Sequence, residues 1–274
     1  MKTILSRYVS STALLGCLLF AGGAQASATW NFSSSGGTLG PQSQGGVNLS
    51  LGGYYAYDAN YNGTSQTYST GFATGNSGTN NGNWSSAALQ NYPGGIGMAT
   101  GYDQIGVAPG HAMDNAGTTE SVLLSFNSAQ ILNTITIGWV QNSADVALWR
   151  YNGSSAPTLA GTAASTMTGW SLVGYYNLNT GGLPASTGVN AGNTASSWWL
   201  ISAYNSGFAP ASVTSGPGQN TFGGAVTQTT ASYFKIYSVA TTTPTKTVPE
   251  PGSLALAGLA LGGLYLSRRK VSKR

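Results

Sequence analysis

The chain has a single histidine, and it sits in the run Pro109-Gly110-His111-Ala112-Met113-Asp114-Asn115, with Glu120 five positions beyond. Two carboxylates and an amide this close together suggest two chemistries. As hard oxygen ligands, Asp114, Asn115 and Glu120 would take a Ca²⁺ ion with help from backbone carbonyls, and His111 would stand nearby because imidazole suits calcium poorly. As a polar latch, Asp114 and Asn115 would accept local backbone N–H groups and His111 would bond a carbonyl or carboxylate. Two carboxylates are few for calcium, which favours the latch.

Catalysis has little to work with. A serine hydrolase needs a nucleophile beside His111 and an orienting acid, and no Gly-x-Ser-x-Gly elbow occurs. A glycosidase needs two carboxylates across a cleft. Only Asp103, Asp114, Glu120 and Asp145 are candidates, and Asp145 follows a turn that it is placed to cap. Sugar binding is better served. Trp84, Trp198 and Trp199 are candidates for stacking on sugar rings, although burial in a core is the commoner use of tryptophan. Trp198 and Trp199 are adjacent, so on a strand they must point to opposite faces.

The elements that would position these residues are strands. Ile131 to Val140 alternates, with Ile135, Ile137 and Trp139 on one face and Thr134, Thr136 and Gly138 on the other. Asp145 to Tyr151 predicts a second strand, joined to the first through a hairpin loop at Gln141 to Ala144. Glu120 to Phe126, Ser197 to Tyr204 and Tyr233 to Val239 predict three more. Weaker strand signals lie at Thr29 to Phe32, Val47 to Leu51, Tyr54 to Tyr57 and Gln66 to Phe72. Trp170 to Leu178 fits either a short helix or a strand. Gly75 to Trp84, Thr180 to Asn193 and Gly207 to Gly224 have loop composition. Many short strands between Gly- and Asn-rich turns predict an all-β fold, an antiparallel β-sandwich or jelly roll.

The formal charge of +4 comes from the ends. Between Ser27 and Thr243 only Arg150 and Lys235 are basic, against Asp58, Asp103, Asp114, Glu120 and Asp145, a net of −3. No basic stripe is available for nucleic acid. Cys17, the one cysteine, lies in an N-terminal segment with Lys2 and Arg7, an apolar run, and Ala24-Gln25-Ala26. That pattern predicts a signal peptide over 1–26, cleaved after Ala26. Leu18, Leu19 and Phe20 after Cys17 argue against lipid attachment there. The predicted organisation is signal peptide 1–26, sandwich domain 27–240, Thr/Pro linker 241–247 and tail 248–274.

The tail carries the most specific pattern. Val248-Pro249-Glu250-Pro251 precedes an apolar stretch, Leu254 to Leu266, and then the basic residues Arg268, Arg269 and Lys270. Thirteen residues of helix reach about 20 Å, short of the ~30 Å hydrocarbon core. The prolines upstream and the basic cluster downstream nevertheless fit a single, short transmembrane helix. Motif, apolar stretch and basic end together resemble the PEP-CTERM sorting signal of Gram-negative bacteria. The resemblance implies processing near Pro249-Glu250-Pro251 by an exosortase, an integral membrane peptidase. It also implies transient inner-membrane anchoring through the C-terminal helix, then delivery to the cell surface or extracellular matrix. Exopolysaccharide is the partner that such proteins are expected to meet. Residues 109–115, Glu120 to Phe126, Ile137-Gly138-Trp139 and Asp145 to Gly153 resemble one group of exosortase-dependent surface proteins, which implies a fold and no activity. The expected role is structural or adhesive, without catalysis and without a cofactor beyond the Ca²⁺ considered above. Carbohydrate binding through exposed aromatics is the alternative, and a glycoside-active enzyme a distant one.

Overall fold

One strand organises the molecule. Residues Thr118–Gln141 form a single strand of 24 residues, β8, where the sequence pattern predicts two strands broken near Asn127. The computed structural model describes residues 26–34, 39–59, 72–73, 82–98, 100, 109–179, 181–208, 230–244 and 258–263. They fall in two units, Met1–Pro244 and Thr245–Arg274. In the first unit β8 is joined by β1 (Ser27–Asn31), β2 (Gln42–Gln44), β3 (Val47–Tyr57), β4 (Ser85–Ala87), β5 (Leu89–Tyr92), β6 (Gly95–Met98) and β7 (Met113–Asp114). After it come β9 (Asp145–Tyr151), β10 (Trp170–Asn177), β11 (Ala185–Gly188), β12 (Ala195–Ala203) and β13 (Tyr233–Thr242).

Every pairing is antiparallel, and β8 takes part in two different ladders. Its first half lies between β3 and β12. Its second half lies between β13 and β11. The changeover is at Asn127, Ser128 and Ala129, which are exposed. There Trp198 pairs with Ser125 while Ser196 pairs with Gln130, so β8 has surplus residues that bulge out of the ladder. The first half thus belongs to a layer ordered β10-β9-β12-β8-β3, with β2 and β4 on β3. The second half belongs to a layer in which β13 is flanked by β8 on one side and by β1, β6 and β7 on the other. Gly95, with φ at +113°, lets β6 come against β13, because a Cβ there would collide with the Ile236 carbonyl.

The layers face each other across one core. Val122, Leu124 and Phe126 of the first half are buried in it together with Leu132, Ile135 and Ile137 of the second. Trp30 of β1 meets Phe126 across the gap at 5.7 Å between ring centroids. This is the all-β, antiparallel sandwich that the alternation predicts. The outer face of the first layer is covered as well. Leu123, Ala147, Trp149 and Leu200 pack there under Phe72, Trp84, Leu159, Met167 and Phe208.

The crossing point is tied by a buried glutamine. Gln130 is 1% exposed. Its amide donates to the Ser128 hydroxyl at 3.2 Å and the Ala129 carbonyl at 3.0 Å. Its Oε1 accepts from Thr241 and Thr243. Its carbonyl accepts the Trp199 indole N–H at 3.1 Å, and Thr241 in turn accepts from the Trp30 indole.

Several expectations change. The loop Gln141 to Ala144 does not close a hairpin. β9 pairs with β10 and β12, never with β8, whose end is occupied by β13. The four residues therefore carry the chain from one layer to the other, with Asn142 at φ +63°. Val47 to Leu51 and Tyr54 to Tyr57 merge in β3, and Trp170 to Asn177 is a strand. The stretch Thr180 to Asn193 contains β11, a strand that its composition conceals. Gln66 to Gly71, and most of Gly75 to Trp84 and Gly207 to Gly224, lie outside the described residues. In the second unit residues 258–263 are helical and exposed.

Replacing Gln130 with Leu keeps the volume but strands the Thr241 and Thr243 hydroxyl donors and the Ala129 carbonyl. We expect a loss of about 2 to 3 kcal/mol, read as a lower urea midpoint at an unchanged m-value.

Candidate functional site

The described carboxylates of the body are all buried. Asp58 is 0% exposed, Asp114 2%, Glu120 0% and Asp145 5%. Strand register places them together at one end of the first layer. Tyr57 pairs with Thr118 and Tyr55 with Glu120, while Ala203 pairs with Val146 and the Tyr204 N–H reaches the Asp145 carbonyl. The end of β3, the starts of β8 and β9 and the end of β12 therefore converge.

Asp114 and Glu120 are engaged locally. Asp114 accepts the Ala116 N–H at 2.9 Å, and Glu120 accepts the Asp114 N–H at 3.2 Å. Asn115 joins three segments. Its amide donates to the Tyr204 carbonyl at 2.6 Å, and its Oδ1 accepts the Ser232 N–H at 2.8 Å. Asp58 accepts from Thr119 at 2.6 Å and from Asn205 at 3.0 Å, across 147 positions of sequence in the latter case. Burial pushes the Asp58 carboxyl up to about 8, against the pull of those two bonds. Burial likewise raises Asp145, opposed by Ser143 and Ser232. Among the described residues no three His, Cys, Asp or Glu side chains gather closely enough to hold a metal ion. A Ca²⁺ ion would thus depend on amide and carbonyl oxygens.

His111 stands apart from this network. Its ring stacks on Tyr92 at 4.2 Å and 22°. Tyr92 also receives Lys235, whose ammonium lies 4.3 Å from the Tyr92 centroid and 5.3 Å from that of Trp139. Lys235 is opposite Trp139 in the ladder. The cation is held by ring quadrupoles, and burial pushes it down to about 8. His111 is lowered too, by burial first and then by the Lys235 charge. The pattern of the sequence singles out His111 but gives no sign of this stack. Its members come from β5, β8, β13 and the turn before β7.

The tryptophans divide sharply. Trp84 is 1% exposed, inside the outer cluster with Phe72 and Phe208. Trp199 is 0% exposed, in the core, with its indole N–H bonded to Gln130 and Ser196. Neither has a ring face for a sugar, so the expected stacking role is withdrawn for these two. Trp198 points the other way and is half-buried, packed against the edge of the outer cluster. The structure gives it two companions. Trp170 pairs with Tyr151 across β10 and β9, and Tyr151 falls beside Trp198 because Arg150 pairs with Trp199. Ring centroids are 5.1 Å apart for Trp170 and Tyr151, and 5.8 Å for Tyr151 and Trp198. The three half-buried rings form a row across three strands. Single-strand alternation could show which face each residue takes, but only the register aligns them.

Residues 247–270 match the family model described as the PEP-CTERM protein-sorting motif. The match takes in Val248, Pro249, Glu250 and Pro251 and also Arg268, Arg269 and Lys270, all outside the described residues, as is Ala24. Ala26 is described, and its carbonyl accepts the Thr243 N–H at 3.0 Å. No helix among the described residues is long and apolar enough to cross a membrane. No curated protein and no solved structure matches the chain.

Two measurements address the acidic end. Asn115→Ala leaves the Tyr204 carbonyl and Ser232 N–H without their partner and should cost about 2 kcal/mol or more; excess chelator should leave the wild-type Tm unchanged. Asp58 is protonated in the folded protein up to about pH 8, against about 4 when unfolded. Its contribution is whole below pH ~4 and is lost as pH rises to ~8. Asp58→Asn should flatten the stability profile over that range and raise stability at pH 9.

Proposed function

We propose that the protein is a non-catalytic component of the cell surface or extracellular matrix, structural or adhesive in role. The sorting motif at 247–270 marks an exported, exosortase-targeted protein. The observation that carries the rest is the state of the carboxylates. Asp58, Asp114, Glu120 and Asp145 are buried. Acid–base catalysis on a glycan needs carboxylates that face a cleft and its water. Theirs are turned inward to hold strand ends together, which is structural work. Signal-peptide removal after Ala26 fits this reading, because the body's first strand begins at Ser27.

A second reading, carbohydrate binding, is favoured by the row Trp170-Tyr151-Trp198. Large apolar rings left half-buried across neighbouring strands suit a ligand with flat C–H faces. It is an adhesive role in molecular form, with extracellular polysaccharide as the partner.

The sorting role is tested in cells. With Pro249, Glu250 and Pro251 changed to Ala, the protein should accumulate at higher mass in the membrane fraction. The unchanged chain should appear at the surface or in the medium, starting at Ser27 and lacking the tail. Equal processing of both forms would overturn it.

A further inference from the structure

The row of rings does not end at Trp198. Trp198 pairs with Ser125 of β8, and Ser125 pairs with Ser50 of β3. Partners directly opposite in a ladder share a face. The row therefore continues as Trp170, Tyr151, Trp198, Ser125 and Ser50, over β10, β9, β12, β8 and β3. Beyond Trp198 the surface is concave, a cavity of about 230 Å³. Asn48, Ser50, Ser125 and Asn127 line it with hydroxyl and amide groups, beside Pro41, Leu49 and Phe126. Three rings thus lie in line with a pocket of mixed polar and apolar lining on the same sheet.

Charge and ring geometry narrow the ligand. No Asp, Glu, His, Lys or Arg is among these residues, and Arg150 alternates to the opposite face. An acidic glycan would find no counter-charge. The rings are not coplanar. Tyr151 is tilted 54° from Trp170 and 81° from Trp198. Glycine backbone holds the Tyr151 ring in that attitude, because a Cβ at Gly169 would come within 2.9 Å of it. A flat ribbon cannot lie on all three rings at once, whereas a chain whose sugar planes rotate from unit to unit can. Strands are ~4.8 Å apart, so four intervals span about 19 Å. A pyranose unit is about one interval long, which gives about four units of contact.

Resting on the carbohydrate reading above, we propose that this face binds a neutral, twisted polysaccharide. About four sugar units would run across the strands, with the leading units on the rings and the last one in the Asn48–Asn127 pocket.

The test is calorimetric titration of the purified full chain with laminari-oligosaccharides, which twist, cello-oligosaccharides, which are ribbon-like, and alginate oligomers, which are acidic. Affinity should be greatest for the laminari series and should rise with length to about four units. Trp198→Ala and Trp170→Ala should each weaken binding about tenfold, a change of 1.4 kcal/mol. Trp198→Phe, which keeps the packing, should restore most of it if the alanine variant loses its fold. Tighter binding of cello-oligosaccharides or alginate overturns the ligand class and leaves carbohydrate binding standing. Binding indifferent to both tryptophans overturns this face as the site. No binding to any of the three overturns the carbohydrate reading as well.

Discussion

The sandwich depends on one strand being able to leave its layer. β8 runs through 24 residues and belongs to both sheets, so the layers are held in register covalently rather than by side-chain packing alone. A strand that changes layers must break its ladder, and its backbone groups at the break need other partners. Gln130 supplies them from a buried position. It bonds back to Ser128 and Ala129 with its amide, outward to β13 through Thr241 and Thr243, and to the Trp199 ring through its carbonyl. The same indole fills the core below. Packing and hydrogen bonding at the corner are therefore one device.

That constraint also explains where the polar groups went. With no disulfide available to the body, strand ends must be secured by other means. At the far end of the first layer, Asn115, Asn205 and Asp58 join segments that sequence separates widely. Burying a carboxyl that can stay protonated is cheaper than burying its charge. Asp58, pushed up to about 8, fits that economy. Lys235 solves the opposite problem with aromatic faces in place of a counter-ion.

Much of this was legible from residue patterns, and the limits have physical causes. Alternation located β8, β9, β12 and β13, because side-chain period is a local property. Partner choice is not local. The four residues Gln141 to Ala144 have hairpin length, yet β13, about 90 positions further along the chain, holds the edge of β8 instead of β9. The strand β11 is short and small-residue-rich, so it gives almost no periodic signal. Asp114, Asn115 and Glu120 were recognisable by spacing as a polar cluster. Asp58 was not, since its partners Thr119 and Asn205 lie 61 and 147 positions away. Among the tryptophans, alternation separated Trp198 from Trp199, and only the ladder register brought Trp170 and Tyr151 alongside.

The pairing of β1 with β13 has a consequence for how the chain is made. Ser27 lies opposite Thr242, and the Ala26 carbonyl meets the Thr243 N–H. The body is thus a closed loop of chain whose first and last residues clasp each other. β13 is also the middle of its layer, touching β1, β6, β7 and β8. A polypeptide threading outward from its N-terminus would hold β1 and β7 unmated, and one edge of β6 and of the second half of β8 open, until β13 emerged. The second layer can then assemble only around a strand delivered last, next to the segment that bears the sorting motif. Completion of the fold and arrival of that motif outside the membrane are consequently almost the same event in time.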